Sequence, residues 1–292
     1  MVMKNQFEVA AGSVIGRDHL KDLGWRNNQD TVATVVGNGC IALVVADGCS
    51  ASEQSTASHN EVGAQIGCKL IAKAVSSASQ SFQESVEKHG IISAAFEMEL
   101  IRMRVLEQIK QLAVLMGGDF HLNIRDYFLF TLVGALITPV KAFVFSIGDG
   151  VVFVNGELIR IGPFPNNQPP YLGYGLVKST IDPSLCKFTF HAILPTDEIT
   201  SILVGTDGVG ELIDAETCNL PGKNAQVGPV SQFWEDDRYF TNSDQVRRKL
   251  ALVNCEITRV SVEGELVRFP GLLKDDTTLA VIRRRKQSTG KE

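Results

Sequence analysis

The sequence predicts an α+β fold in which antiparallel sheets are covered by helices in layers. Apolar and β-branched runs are joined by short Asn-Gly, Asp-Gly and Pro turns, which is typical of antiparallel strands. Two long helical patterns separate the strand groups, without the one-by-one alternation of strand and helix of a doubly wound fold. Because no linker or repeat divides the 292 residues, we predict a single domain, 1–292.

The first hairpin of the chain places two acidic residues together. Residues 31–36 and 40–46 are predicted strands, and Asn38-Gly39 is the turn between them. Asp30 precedes the first strand and Asp47 follows the second. Because these positions lie at the same open end of a hairpin, both carboxylates are predicted to face one spot.

Two helices are predicted after this hairpin. Ser58 to Glu61 has the spacing of a capping box, and a second helix runs from about Ile92 to Met116 before Gly117-Gly118 ends it. Residues 76–90 between them are either a frayed extension or a connector. The predicted buried stripes comprise Val62, Ile66, Leu70, Ala74, Ile71 and Val75 in the first helix and Phe96, Leu100, Met103, Leu106 and Ile109 in the second.

Strands are predicted for most of the second half of the chain. The consecutive runs form an antiparallel meander, a proline- and glycine-rich loop follows it, and a basic tail is expected to be solvated. The predicted strands are 7–15, 127–138, 142–147, 151–155, 158–161, 187–194, 201–205 and 277–282; 162–175 and 214–237 are loops, 242–244 caps a short helix to Leu252, and 283–286 is the tail.

Composition excludes several classes of protein. A net charge of -5 disfavours nucleic acid as a partner, and the 6 cysteines form no close pair, which disfavours a disulfide scaffold or a zinc site and favours a reducing compartment. The most apolar stretch, 129–137, is too short to span a bilayer, and the N-terminal residues lack a signal pattern. We therefore expect a soluble cytoplasmic protein without membrane or nucleic-acid partners.

Three Asp-Gly pairs follow apolar runs: Asp47-Gly48, Asp149-Gly150 and Asp207-Gly208. The ordinary interpretation of each is a hairpin turn, and a hairpin fits at Asp149-Gly150 because strand-like residues resume there. After Asp47-Gly48 the chain is not strand-like, and after Asp207-Gly208 it resembles a helical turn. These two positions therefore call for another reason to place an acid beside a glycine that lets the backbone come close.

A fourth acidic position inverts the order, since Asp275 precedes the last apolar run, 277–282. If that strand lies antiparallel to 201–206, then Asp275 and Asp207 meet at one edge. With Asp30, Asp47 and Asp149, up to five carboxylates would share one end of a sheet.

Such a cluster needs divalent cations, because like charges raise one another's pKa. Oxygen ligands favour Mg²⁺ or Mn²⁺ over zinc, and a two-metal site activates water and clamps phosphoryl oxygens. Arg26, four residues before Asp30, would hold the phosphate by bidentate hydrogen bonds. The spacing thus predicts a metal-dependent phosphohydrolase.

The ordered motifs resemble those of the metal-dependent Ser/Thr protein phosphatases of type 2C, most of all bacterial members. The resemblance extends from about Gly12 to Ile282. It is carried by Gly24-Trp25-Arg26 with Asn28-Gln29-Asp30, then Val45-Ala46-Asp47-Gly48, Ile147-Gly148-Asp149-Gly150, Gly205-Thr206-Asp207-Gly208-Val209 and Asp275-Asp276-Thr277-Thr278.

The resemblance implies a four-layer α-β-β-α sandwich, with two antiparallel sheets flanked by helices and a binuclear Mn²⁺/Mg²⁺ centre at one end. Arg26, Asp47 and Asp207 would be the catalytic residues, with Arg26 on the substrate phosphate and a metal-held hydroxide as nucleophile, so that no phosphoenzyme forms. The implied ligands are Asp47 as the bridge, the Gly48 carbonyl, Asp207 and Asp275, with Asp30 and Asp149 holding metal-bound waters and Asp149 with Asp207 offering a third ion site.

The resemblance also implies a phosphorylated protein substrate, an opposing Ser/Thr kinase, a monomer, and a substrate-shaping flap near 162–175. Cys49 occupies the position where many animal members carry a histidine, Arg26 is one residue closer to Asp30 than is common, and Glu211 replaces a second aspartate. The competing hypotheses are a pseudophosphatase that binds a phosphoprotein without turnover, a small-molecule phosphatase, and a structural domain with acidic turns.

Overall fold

The computed structural model describes residues 3–20, 27–37, 39–50 and 58–286. The helices are α1 (Met3–Gln6), α2 (Asn60–Ser77), α3 (Ser79–His89), α4 (Ile91–Leu115), α5 (Phe120–Tyr127), α6 (Gly208–Asp214), α7 (Gln232–Glu235), α8 (Arg238–Thr241) and α9 (Gln245–Val253). The strands are β1 (Phe7–Val14), β2 (Asp30–Val36), β3 (Ile41–Gly48), β4 (Phe130–Ile137), β5 (Lys141–Ile147), β6 (Gly150–Val154), β7 (Glu157–Ile161), β8 (Thr189–Pro195), β9 (Ser201–Gly205), β10 (Ile257–Val260), β11 (Leu266–Phe269) and β12 (Thr277–Arg284).

Two five-stranded sheets form the centre of the fold, in the orders β1-β12-β9-β6-β7 and β2-β3-β4-β5-β8. Neighbouring strands are antiparallel in both sheets. The sequence did not predict a separate small hairpin, which β10 and β11 form.

Strand β3 shows how the two sheets pack, because it is buried on both faces. Ala42, Val44 and Ala46 belong to the core beneath α2, α4 and α5, while the alternate residues Leu43 and Val45 face the other sheet. A third core lies between β9, β12 and the helices α6 and α9. The layers are therefore helix, sheet, sheet, helix, which confirms the predicted α-β-β-α sandwich.

The hairpin predicted at Asp149-Gly150 is wrong. Strands β5 and β6 belong to different sheets, so the chain crosses from one layer to the other at this point. Gly148 and Gly150 have φ of 88° and 148°, values that glycine adopts without the strain that a side chain imposes. The meander prediction failed here because local turn chemistry does not show which strands will pair.

The predicted buried face of α2 is partly wrong. Ile71 and Val75 are buried as expected, but Val62 is 41% exposed, and the helix rests on the sheet through small residues. A Cβ at Gly63 would collide with the Tyr127 carbonyl oxygen and one at Gly67 would lie 2.1 Å from the Phe130 ring. Small residues allow closer packing than the large apolar residues on which the pattern rested.

The caps predicted for two helices are not formed as expected. His59 is the N-cap of α2, and its side chain makes no capping hydrogen bond. Ser58 Oγ donates to the Cys49 carbonyl oxygen over 2.7 Å and accepts the Asn60 N–H over 3.3 Å. Asp244 precedes α9, but its carboxylate binds Arg247 and Arg248 rather than the helix N-terminus.

Helix α4 has two apolar faces, and the sequence pattern selected the wrong one in part. Leu106 and Ile109 are buried, but Phe96 and Met103 are more than half exposed. Met98 fills the core instead, together with Ala94, Ile101, Val105 and Ala113. Residues 79–89, left open by the sequence, form the separate helix α3, whereas Tyr127 ends α5 and does not begin a strand.

The basic segment 283–286 is solvated only in its second half, because Arg285 and Lys286 are exposed and the two arginines before them are not. Arg283 lies within β12, is 6% exposed, and its guanidinium stacks 4.0 Å from the Phe240 ring. Arg284 covers the Phe7 ring at 4.6 Å. The cause is the central position of β12, which pairs with both β1 and β9 and so draws these arginines into the sheet.

The six cysteines are free thiols. Among the described residues, no helix combines the length and the hydropathy needed to cross a bilayer.

Candidate metal centre

The register of β2 and β3 brings the first two predicted ligands together. Asp30 opens β2, Asp47 lies one residue before the end of β3, and the two are direct partners across the ladder. The prediction that both acids lie at the same open end of this hairpin is confirmed.

The second pair comes from the other sheet. Strands β9 and β12 are antiparallel, and Leu279 faces Gly205. Asp207 therefore follows β9 at the same end at which Asp275 precedes β12, as predicted. The negative charge of Asp275 raises the pKa of Asp207, so the two carboxylates lie within electrostatic reach of each other.

Asp149 reaches the same end from the crossover between the sheets. A Cβ at Gly150 would lie only 2.6 Å from the Gly205 carbonyl oxygen, so the crossover packs directly against the end of β9. The charge of Asp149 raises the pKa of both Asp47 and Asp207. Both sheets and the connection between them thus contribute carboxylates to one cluster.

Two glycines beside these acids permit close contact between backbones. A Cβ at Gly48 would lie 2.7 Å from the Asn60 carbonyl carbon, at the start of α2, and one at Gly208 would lie 2.0 Å from the Asp276 carbonyl oxygen. These contacts explain the Asp-Gly pairs at positions where a hairpin does not occur.

The pKa of each of the five carboxylates is raised. Burial is the largest cause in each, and the like charges add to it: Asp30 and Asp47 are raised well above the usual range, Asp149 and Asp275 are also raised, and Asp207 is raised to about 7. The rim of the cluster is open, because the Asp207 side chain is solvent-exposed and three other acids are half-buried: Asp47, Asp149 and Asp275. Because solvent reaches the Asp207 side chain, dehydration contributes less there than at the buried acids, and the charges of Asp275 and Asp149 contribute more to its raised pKa.

One carboxylate oxygen in the cluster lacks a partner. Asp30 is 5% exposed; its Oδ2 accepts a hydrogen bond from Thr206 Oγ1 over 2.6 Å, but its buried Oδ1 has no hydrogen-bond partner among the described residues. A buried, unpaired carboxylate oxygen is costly. A divalent cation would neutralise the cluster, and water bound to it would satisfy this atom. Oxygen-only donors suit Mg²⁺ or Mn²⁺, so the residues fit the predicted ions.

Sequence reasoning missed three residues at this site: Thr206, His19 and Asp276. His19 lies 3.0 Å from Asp276 and 3.6 Å from Asp275, and Asp276 is 1% exposed. The doubled acid at 275–276 was a usable signal, because consecutive residues of an extended chain point to opposite sides. No pattern in the sequence indicated His19.

The other sequence-predicted residues have different outcomes. Arg26 lies outside the described residues. Glu211 holds the backbone before β12, because its Oε2 accepts the N–H groups of Lys274 and Asp275 at 2.5 and 3.2 Å. Segment 162–175 lies beside the cluster, because a Cβ at Gly162 would lie 3.2 Å from the Asp149 Cβ.

Solved structures share this architecture. A crystal structure of a bacterial serine phosphatase bearing a point mutation matches with 13% identity, 97% of this chain and 100% of that chain covered, and a TM-score of 0.51. PppA, a regulatory component of T6SS in Pseudomonas aeruginosa, matches with 16% identity, 96% and 98% coverage and a TM-score of 0.48. At 13% identity, the likeness to the bacterial serine phosphatase shows the fold alone.

A third solved structure is the catalytic domain of the serine threonine protein phosphatase PstP in complex with 2 manganese ions. It matches with 14% identity, 96% and 99% coverage and a TM-score of 0.45.

Comparison of sequences is more decisive. A search of curated proteins found no significant match. The family model for protein phosphatase 2C, in contrast, matches residues 15–251. Because this match spans well over half of the chain, the protein belongs to the protein phosphatase 2C family.

Proposed function

We propose that the protein hydrolyses phosphoserine and phosphothreonine in other proteins at the acid cluster, with two Mn²⁺ or Mg²⁺ ions as cofactors. The observation that carries this proposal is the convergence of five acids at one end of the two sheets, where the pKa of each is raised: Asp30, Asp47, Asp149, Asp207 and Asp275. The metal-dependent type 2C family provides the reaction class.

Each acid has a role in the proposed site. Asp47 and the Gly48 carbonyl, at the end of β3, and Asp207 and Asp275, at the ends of β9 and β12, would hold the ions. Asp30 and Asp149 would hold water bound to them, with Asp149 and Asp207 able to take a third ion. When bound, such ions activate water and neutralise phosphoryl oxygens.

The chain's own residues restrict how the phosphoryl group can be attacked. Burial is the largest cause that raises the pKa of the Cys49 thiol, beside the cluster. A cysteine nucleophile needs a lowered pKa, so Cys49 remains a thiol at neutral pH. This supports attack by water, without a phosphocysteine intermediate.

The open rim favours a protein substrate over a small molecule. Sites for small ligands bury most of the ligand surface in a concave pocket, whereas Asp207 is solvent-exposed and Asp47 and Asp149 are only half-buried. A phosphorylated side chain can enter such a site while the rest of its protein stays outside. We further propose that the protein is a cytoplasmic monomer and that a Ser/Thr kinase phosphorylates its substrate.

The test is hydrolysis of a phosphothreonine peptide by the purified protein with and without Mn²⁺, beside Asp207→Asn. We expect turnover that requires Mn²⁺ and is lost in the variant. Asp197→Asn is the matched control, because Asp197 is an exposed acid two residues after Pro195. Pro195 pairs with Lys141 at the start of β5, which is opposite the end that carries Asp149.

The alternatives predict other results. Mn²⁺ binding without turnover would favour the pseudophosphatase, and hydrolysis of sugar phosphates but not of the peptide would favour a small-molecule phosphatase. Turnover that survives both Mn²⁺ removal and Asp207→Asn would refute the proposed site.

A further inference from the structure

Asp276 holds both ends of one connection of the fold. Its side chain is 1% exposed, Oδ1 accepts the Gly16 N–H over 2.6 Å and Oδ2 accepts the Gln29 N–H over 2.5 Å. Gly16 follows β1 and Gln29 immediately precedes β2. A single buried carboxylate at the start of β12 thus anchors the entry and the exit of the β1–β2 connection.

Gln29 links Asp276 to the acid cluster. The residue is 4% exposed, and its carbonyl oxygen accepts the Gly48 N–H over 3.1 Å. Gln29 also lies next to Asp30 in the chain, and its side-chain oxygen accepts a hydrogen bond from Ser50 over 2.8 Å. A displacement of Gln29 would therefore move the backbone of two proposed metal-site residues.

His19 provides a second path to the cluster. Its Nδ1 lies 3.0 Å from Asp276 Oδ1, as an ion-pair contact rather than an aligned hydrogen bond, and its Nε2 lies 3.6 Å from Asp275 Oδ1. The Asp276 N–H also donates to Asp275 Oδ1 over 2.8 Å. Asp275 is thus oriented from two sides by groups that Asp276 places.

We infer that Asp276 is a positioning residue of the metal centre, acting through Gln29 on Gly48 and Asp30 and through His19 on Asp275. The inference rests on the proposed function, since it requires that ions bind at this cluster. Two backbone donors and His19 already occupy the Asp276 oxygens, which is the arrangement of a residue that holds ligands and not of a ligand itself.

The effect should be seen in metal affinity. Groups that orient metal ligands typically account for about 10- to 100-fold in affinity. We expect Asp276→Asn to bind Mn²⁺ about 10- to 100-fold more weakly, because the amide nitrogen cannot accept one of the two backbone N–H bonds. Asp276→Glu keeps the charge but displaces the oxygens, and we expect a similar loss.

The experiment is a calorimetric titration of the full chain with MnCl₂ alone, at a temperature where circular dichroism shows each variant to be folded. Asp119→Asn is the control, because the Asp119 carboxylate also accepts two backbone N–H groups, at 2.8 and 3.0 Å, but caps α5 away from the cluster. His19→Gln is the second test if the Asp276 variants do not fold, and we expect weaker binding there too.

The outcomes are distinguishable. Wild-type Mn²⁺ affinity in the folded Asp276 variants, or in His19→Gln if those do not fold, would overturn the inference and leave the proposed function intact. Weaker binding in Asp276→Asn with wild-type binding in Asp276→Glu would also overturn it, because charge and not position would be the cause. A wild-type protein that does not bind Mn²⁺ would instead overturn the proposed function.

Discussion

Thr206 Oγ1 donates a hydrogen bond to Asp30 Oδ2 over 2.6 Å, although the two residues belong to different sheets. The same hydroxyl oxygen accepts the Thr278 N–H over 3.1 Å. One buried side chain therefore connects β2 to the pair β9–β12 at the end where the acids converge. The hydroxyl also lowers the pKa of Asp30, against the larger upward effects of burial and of neighbouring charge.

Thr206→Val should separate this contact from packing, because valine keeps the shape and loses the hydroxyl. We expect a loss of about 1–3 kcal/mol in the free energy of unfolding, since a buried carboxylate oxygen and a backbone N–H lose their partner. Urea unfolding in the presence of EDTA measures it. Thr206→Ser keeps the hydroxyl as a control, and equal stability of the valine variant and the wild type would contradict the proposed connection.

The stability of the metal-free protein should fall as pH rises. The pKa of Asp207 is about 7 in the folded chain and near 3.8 without the fold, so between these values the folded state holds a proton that the unfolded chain has lost. The free energy of unfolding therefore decreases with rising pH in this window. We expect a lower Tm at pH 7.5 than at pH 5 in EDTA, measured by thermal denaturation.

Asp207→Asn tests the cause of that pH dependence. The variant should be more stable than the wild type at pH 7.5 in EDTA, by about 2–4 °C in Tm for each kcal/mol of relieved repulsion. Added Mn²⁺ should stabilise the wild type by binding the folded state and should stabilise the variant less. A variant that is less stable than the wild type in EDTA at pH 7.5 would show that repulsion at this position is unimportant.

Asp47→Asn should abolish function while the fold remains. Asp47 is the acid whose pKa is raised by all four of its partners, Asp30, Asp207, Asp275 and Asp149, so it lies at the centre of the cluster. We expect Mn²⁺ affinity and kcat to fall by more than about 100-fold, beyond the usual effect of a residue that only orients a ligand. Calorimetry, peptide hydrolysis and circular dichroism check this, and full activity would refute the assignment.

Arg283 should be important for stability and not for catalysis. Its side chain is 7% exposed, and its guanidinium lies 2.8 Å from both Glu8 and Asp237 and stacks on Phe240. Arg283→Ala leaves Glu8, which is 21% exposed, with only the exposed Arg285 as a partner, and we expect a loss of about 3 kcal/mol. Arg285→Ala, which removes an exposed arginine from the same Glu8, should cost less than about 1 kcal/mol; equal losses in urea unfolding would contradict this.

Arg26 is proposed to bind the substrate phosphate, so its substitution should weaken substrate binding and leave metal binding unchanged. We expect Arg26→Ala to raise KM for the phosphopeptide and to leave Mn²⁺ affinity unchanged. Arg26→Lys should recover little, because lysine cannot form the bidentate pair. Arg17→Ala is the control, since Arg17 donates to the Gly271 carbonyl oxygen over 2.7 Å, and an unchanged KM in Arg26→Ala would remove Arg26 from the site.

Local patterns in the sequence predicted the pairs within each sheet. Asp30 and Asp47 are ladder partners because a short turn sets the register of a hairpin. The sequence placed Asp207 and Asp275 together on the condition that the last strand lies antiparallel to 201–206, and β9 and β12 do pair in this way. The strands that carry these acids were predicted to within about two residues, since their apolar runs and turns are local signals.

Tertiary contacts decided the rest. Asp149 was taken for a hairpin turn because its flanks look like two strands, and only the stacking of the sheets made it a crossover. Gly63 and Gly67 determined the buried face of α2 through close backbone packing that an apolar pattern does not encode. Arg283 is buried because β12 occupies the middle of a sheet.

Local signals in the sequence predicted antiparallel sheets covered by helices, the pairing of the hairpin acids and the chemistry that such a cluster requires. These features depend on periodicity, turn residues and charge, which act over a few residues. The supporting roles of Thr206, His19 and Asp276 follow from tertiary contacts, because Asp276 contacts Gly16 across 260 positions and Gln29 across 247. The Gly16 contact forms when β1 pairs with β12, and the Gln29 contact forms when the two sheets stack. Neither partner can be identified from the residues that surround Asp276 in the chain.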